Sequence, residues 1–492
     1  MKNFQDYLDE TGEFGFVEAI TSPLFYVSGL PKAKPQEVVI TENGSRGIVQ
    51  GLLPDFVEVL MLDAGQLNHQ EKVVRINQSI GMNVSEALLG RVIDPFGFTI
   101  DDLPPIAKNK VYMPIDRPPP GILDRVKVTE PFETGVAVVD LMVQIGKGQK
   151  ELVAGDQKTG KTSFLLQAIS YQAKKGIVCV YVCIGKRRAD LKWVEQYLKG
   201  TGALSNSVIV GATSSDPVSY VYYAPFSGFT VAEFFRDMGK DVLIVLDDMT
   251  THAKYYREIS LVGKKTPGRG SYPGDVFHHQ ARLLERTGNI LKEDGTVNSI
   301  TALPVAETQE GDLTGYIQTN LMAMTDGHIF FDVSEFKRGR HPAVNHTLSV
   351  TRIGNQTQTL LEKGLRRETV KRLNDFYEIR ETSSFGVEMP LEYRVKIRTG
   401  EKIEAILNQE LREVIPTALR YILIGLVLSD FFAEKNLGET IFAKKALIKA
   451  YFEGRLKGLE QAVLASKDFK ALLLTLQKYK QPLFKMVYGN LQ

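Results

Sequence analysis

A chain of 492 residues is too long for one compact core and should fold as two to four domains. With 60 basic against 58 acidic side chains the formal charge is only +2, so there is no general electrostatic case for a nucleic-acid or anionic-membrane partner. The two cysteines, Cys179 and Cys183, stand four apart in one apolar run and read as small buried hydrophobes rather than a disulfide or a metal pair.

The amino terminus, MKNFQDYLDETGEF, is acidic and lacks the apolar stretch of a secretory signal or the arginines of a transit peptide. Strand-like runs follow, FGFVEAI, KPQEVVI, DFVEVLML and EKVVRINQ, punctuated by Gly, Pro and Asn-Gly. Residues 1–82 are therefore expected to form a closed β-barrel. From 83 to 358 apolar strands alternate with amphipathic helices. ELVAG enters a glycine loop, TSFLLQAISYQAKK reads as a helix closed by Gly176, and IVCVYVCI and VLIVLDD read as buried strands. That order predicts a parallel sheet with helices on both faces. Residues 359–492 are helix-rich, and Ile403, Ile406, Leu407 and Leu411 recur at the spacing of a single helix. KALLLTLQKYKQPL reads as one more helix. The apolar stretch Tyr421 to Leu428 is too short to span a membrane. The expected fold class is multidomain α/β: a barrel, a P-loop parallel-sheet domain and a carboxy-terminal helical bundle.

The run GDQKTGKT, Gly155 to Thr162, has the spacing of a phosphate loop. Backbone N–H groups must converge on a triphosphate there, and glycine is needed where a Cβ would block the approach. Lys161 would reach the β and γ phosphates, and the Thr162 hydroxyl would ligate Mg²⁺. The expected nucleotide-binding set is Gly155, Asp156, Gln157, Lys158, Thr159, Gly160, Lys161, Thr162 and Ser163. The run Val242 to Asp248 is five apolar residues ending in acid, the way a buried strand delivers a carboxylate to a sheet edge. Asp247 would hold the magnesium through water.

Six blocks then occur in order: GDQKTGKTS, YVCIGKRR, LDDMTTHAKYYREISL, PGRGSYPGDVFHHQARLLER, ALPVAETQEGDLTGYIQTN and PAVNHTLSVTRIG. Together they resemble the signature blocks of the F-type ATP synthase alpha subunit over nearly the whole chain. The resemblance implies a RecA-like nucleotide-binding domain that holds ATP or ADP with Mg²⁺ without turning it over. It implies a ring in which three such chains alternate with three catalytic beta subunits around a gamma stalk, with a delta subunit and peripheral stalk outside. Proton or sodium transport would belong to the membrane sector. The chain would reach the membrane only through that complex, on the cytoplasmic face of a bacterial cell membrane or on an organelle inner or thylakoid membrane. Arg352 falls at the family's arginine finger, Ser349 at a position needed for activity, and Gln409 and Pro342 near the adenine.

Four departures from the family accompany these matches. Lys186 stands where alpha subunits usually carry glutamine and the catalytic beta subunits a glutamate, and an ammonium cannot serve as a base. His341 replaces an arginine, Leu411 replaces a second glutamine, and the leader before the barrel is shorter than in the family, which leaves stalk attachment open. Two other readings stay on the table: a self-sufficient homohexameric ATPase, such as an RNA helicase or protein-export motor, and an alpha-like ring with another output. His278 and His279 lack the spacing of a metal site, and the basic runs at 186–188 and 337–340 lack the aromatic interleaving of a nucleic-acid surface.

Overall fold

The structure is a computed structural model that describes residues 3–63, 65–106, 111–382 and 390–489. The chain divides into two compact units, and neither is contiguous in sequence. The first comprises Met1–Lys127, Gly148–Ala154 and Gln172–Asp326; the second comprises Val128–Lys147, Gly155–Tyr171 and Gly327–Gln492.

In the first unit the strands Gly15–Thr21, Leu24–Ser28, Glu37–Thr41, Arg46–Leu52, Val57–Met61 and Lys72–Ser79 close into the expected barrel. Successive side chains point to opposite faces, as in Glu37–Thr41, where every second residue is buried. Val17, Phe25, Val39, Val59 and Val73 thereby fill the interior.

The rest of this unit is a sheet in the order Glu151–Gly155, Val297–Glu307, Val242–Asp247, Val178–Lys186, Ser207–Thr213, Val92–Ile93. From Val297–Glu307 to Val92–Ile93 every pairing is parallel. Val178 to Ile184 is buried at each position, the unbroken apolar run a sheet covered on both faces requires. Both cysteines lie in it, buried and outside any disulfide. The helix Val218–Asp237 packs closely on the sheet because Gly228 presents no side chain; a Cβ there would sit 2.3 Å from Val182 Cγ2.

The second unit is mainly helical. The helix Thr417–Leu428 lies deep in it, with every residue from Ala418 onward buried. Gly425 admits the side chain of Leu476 at a point where a Cβ would come within 2.4 Å of it. A short antiparallel pair, Gly327–Phe331 with Val350–Thr351, completes the unit. Two expected helices are shorter than predicted. The helix Leu391–Leu407 stops before Leu411, because the Asn408 carbonyl oxygen accepts from Lys444 and the Gln409 N–H turns to the His341 carbonyl. KALLLTLQKYKQPL is divided between Phe469–Lys478 and Lys480–Tyr488, which places Pro482 in a first turn, where its missing N–H costs no helical bond. Among the described residues no helix is long and apolar enough to cross a membrane.

Candidate nucleotide site

The phosphate loop lies in the second unit. Gly155 has φ +152°, and a Cβ on it would meet the Phe331 carbonyl oxygen at 2.4 Å, so this position excludes any side chain. Gly160 has open space around it, yet its φ of +96° is one L-residues rarely adopt. Lys158 takes φ +64°, a non-glycine residue in the left-handed region at the tip of the turn. Thr159 Oγ1 donates to the Asp156 carbonyl at 2.7 Å and tightens the loop. The Lys161 ammonium is buried and donates to the Gly155 and Asp156 carbonyls at 2.8 and 2.7 Å. Lys161 also begins the helix Lys161–Lys174, so Thr162 and Ser163 occupy its first turn, where backbone N–H groups have no intrahelical acceptor.

A cavity of about 860 Å³ opens from this loop within the same unit. Thr159, Gly160 and Ser163 line one part of it and Pro342, Gln409 and Leu411 another. Its size falls in the range of small-molecule sites. Gln409 is buried, and its side-chain amide is engaged by backbone. The oxygen accepts from the Ala137 N–H at 2.9 Å, and the nitrogen donates to the carbonyls of Gly135, at 2.8 Å, and Glu413. Leu411 is 46% exposed and offers the cavity an apolar surface. The Gly135 segment is held in turn by buried Asp140, which accepts from Thr134 N–H at 2.7 Å and Gly135 N–H at 2.9 Å and lies 3.2 Å from Arg420.

Asp247 belongs to the first unit, at the end of the strand Val242–Asp247, in register with Cys183 on the neighbouring strand. Its two oxygens have different partners. Tyr181 donates its hydroxyl to Oδ2 at 2.7 Å, and the Lys186 ammonium lies 2.9 Å from Oδ1. The same ammonium is 3.0 Å from Asp248 Oδ2 and 3.6 Å from Glu307 Oε1. Burial works to lower the Lys186 pKa, but Asp247 and Asp248 outweigh it and the pKa is raised, so the lysine is charged at every physiological pH. A cation is therefore already seated on the carboxylate expected to face magnesium, a poor fit for a second one. The lysine was legible in the sequence; its three partners were not, since they stand 61 to 121 positions further along the chain. Among the described residues no group of three or more His, Cys, Asp or Glu side chains stands ready to hold a metal.

Ser349 and Arg352 come together in the second unit. The Ser349 hydroxyl accepts from the Phe330 N–H at 2.9 Å and donates to the Asn345 carbonyl at 2.6 Å, fastening this segment to the strand Gly327–Phe331. Arg352 follows the strand Val350–Thr351 and is exposed. Its guanidinium pairs with no carboxylate among the described residues.

Residues 135–351 match the profile of the ATP synthase alpha/beta family, nucleotide-binding domain. The chain is similar to the ATP synthase subunit alpha of Carsonella ruddii, 38% identical over 85% of this chain and 88% of that one. It is 34% identical to the ATP synthase subunit alpha of Streptococcus gordonii over 95% and 93% of the two chains. It is 41% identical to ATP synthase subunit alpha 1 of Paraburkholderia xenovorans over 80% and 77%.

Proposed function

The chain belongs to the ATP synthase alpha-subunit family, and from that premise we propose that it is the noncatalytic, nucleotide-holding subunit of a rotary ATPase ring. In this reading the loop from Gly155 to Ser163 binds the phosphates of ATP or ADP, and Pro342 and Gln409 form the wall at the base end of the cavity. Thr162 and Asp247 are the residues that would hold Mg²⁺, and the ammonium on Asp247 weighs against the second of them. Arg352 reaches into the neighbouring beta site, where a guanidinium stabilises charge spreading over phosphoryl oxygens. Beta subunits alternate with this chain around gamma, with delta and the peripheral stalk outside. The ring couples to proton or sodium flow in a membrane sector, on the cytoplasmic face of a bacterial membrane. On the same reading the domain limits fall near residues 82 and 358.

The observation that carries the noncatalytic assignment is the Lys186 ammonium among the carboxylates of Asp247, Asp248 and Glu307. Glu307 is the acid that could replace the missing catalytic glutamate, and its carboxylate faces that cation. Purified chain should bind ATP, lose that binding in Lys161→Ala, and hydrolyse essentially none until a beta subunit is added. Sustained turnover by a homogeneous preparation would sink the assignment, and stimulation of that turnover by RNA would move it to the helicase class.

A further inference from the structure

Two cations of the second unit line a cavity of about 260 Å³ that is separate from the one opening at the phosphate loop. Arg398 and Lys402 stand four apart on the helix Leu391–Leu407, so their side chains share one of its faces. Lys402 is only 6% exposed, and its ammonium donates to the Phe432 carbonyl at 2.6 Å. That acceptor is neutral and uses one of three N–H donors. Neither Lys402 nor Arg398 pairs with a carboxylate among the described residues. Burial and then the Arg398 charge lower the Lys402 pKa, as expected of an ammonium short of compensation. Glu401 and Glu434 also line the cavity, yet neither makes an ion pair among the described residues. Lys435 is already held by Glu439, 2.9 Å away. Asn436, on the same wall, caps the helix Leu437–Phe452, so the cavity also meets the positive end of a 16-residue helix. A buried ammonium beside a second cation and a helix start is costly unless an anion joins them.

We propose that this cavity binds a small phosphate-class oxyanion such as inorganic phosphate, held by Lys402, Arg398 and the first turn of the helix Leu437–Phe452. A phosphate has enough oxygens for the remaining Lys402 donors, the guanidinium fork and first-turn N–H groups that no intrahelical acceptor uses. A carboxylate, with two oxygens, would satisfy fewer of them. The site is independent of the nucleotide reading, since no residue from Gly155 to Ser163 lines it.

The test is equilibrium dialysis of radiolabelled inorganic phosphate against the full-length chain carrying Lys161→Ala, which removes the phosphate loop as a competing site. That protein should still bind phosphate, and adding Lys402→Met should weaken the binding by about tenfold or more. Lys402→Met should fold, because an apolar side chain replaces a buried charge that lacks an ionic partner. If it does not, Arg398→Gln, at an exposed position, reads the same loss. Phosphate binding that vanishes with Lys161→Ala alone belongs to the loop and overturns the proposal. Binding that survives undiminished in Lys402→Met, or in Arg398→Gln, overturns it as well. Acetate that displaces phosphate at equal concentration would make this a carboxylate site and overturns the phosphate assignment.

Discussion

Arg352 sits one residue beyond a two-residue strand, and Ser349 ties the start of that segment to its neighbour through the Phe330 N–H and the Asn345 carbonyl. On the proposed reading the two side chains divide the work: Arg352 would touch the partner's substrate, and Ser349 holds the backbone that carries it. In a ring reconstituted with beta and gamma, Arg352→Ala should lower hydrolysis by ~10³–10⁵-fold while ATP binding by this chain is unchanged. Arg352→Lys should recover little, because an ammonium lacks the planar fork of donors. Ser349→Ala should cost only about tenfold, since it removes side-chain bonds and leaves the strand pairing in place. Steady-state turnover alongside an ATP titration reads all three, and undiminished turnover in Arg352→Ala rules out the finger. At this scale the sequence was most informative where chemistry and spacing coincide, as in Gly155 to Thr162. It was least informative where contacts come from strand register, as with Lys186, or where a side chain's direction matters, as with Gln409.

Whole elements show the same contrast. The buried strands were legible because a sheet covered on both faces leaves an unbroken apolar run, and Val178 to Ile184 is one. The end of the helix at Leu407 was not, because apolar spacing continues to Leu411 while the bonds that stop the helix come from the His341 carbonyl and the Lys444 ammonium, distant in sequence. The helix Met249–Val262 holds a titration that bears on stability. His252, in its first turn, is buried with Nε2 3.1 Å from the Tyr222 carbonyl and its ring stacked on Tyr222. Burial lowers its pKa to about 4. The unfolded chain therefore binds a proton that the folded one refuses between the ordinary value near 6.5 and about 4. The His252 contribution is fully present above pH ~6.5 and is lost as pH falls toward 4, by on the order of 3 kcal/mol. Asp140 in the second unit acts oppositely. Burial raises its pKa to about 6, so its share is present below the ordinary aspartate value and is lost as pH rises through about 6. Unfolding midpoints of wild type and His252→Phe, compared from pH 4.5 to 7, should converge as the pH falls. Parallel curves would show that His252 does not titrate with folding.

On the scale of the whole molecule, the three textures of the sequence correspond to a barrel, a parallel-rich sheet and a helical region. The two discontinuous units were not foreseeable, because the chain passes between them in segments as short as Gly148–Ala154 without any change in composition. The second unit holds both the phosphate loop and the cavity that opens from it. Saturating ATP should therefore slow amide exchange in residues 155–163, 336–342 and 408–413, and leave the barrel strands unaffected. Unchanged exchange in those three segments would place the nucleotide elsewhere. GTP should protect the same segments at a concentration within about tenfold of that needed for ATP. The reason is the state of Gln409, whose amide is already committed to Ala137, Gly135 and Glu413. It has no N–H left to offer a purine edge, and Leu411 has no polar group to offer one. Such a subunit would carry whichever purine triphosphate its cell keeps in excess, so that cellular supply rather than the protein selects the cargo.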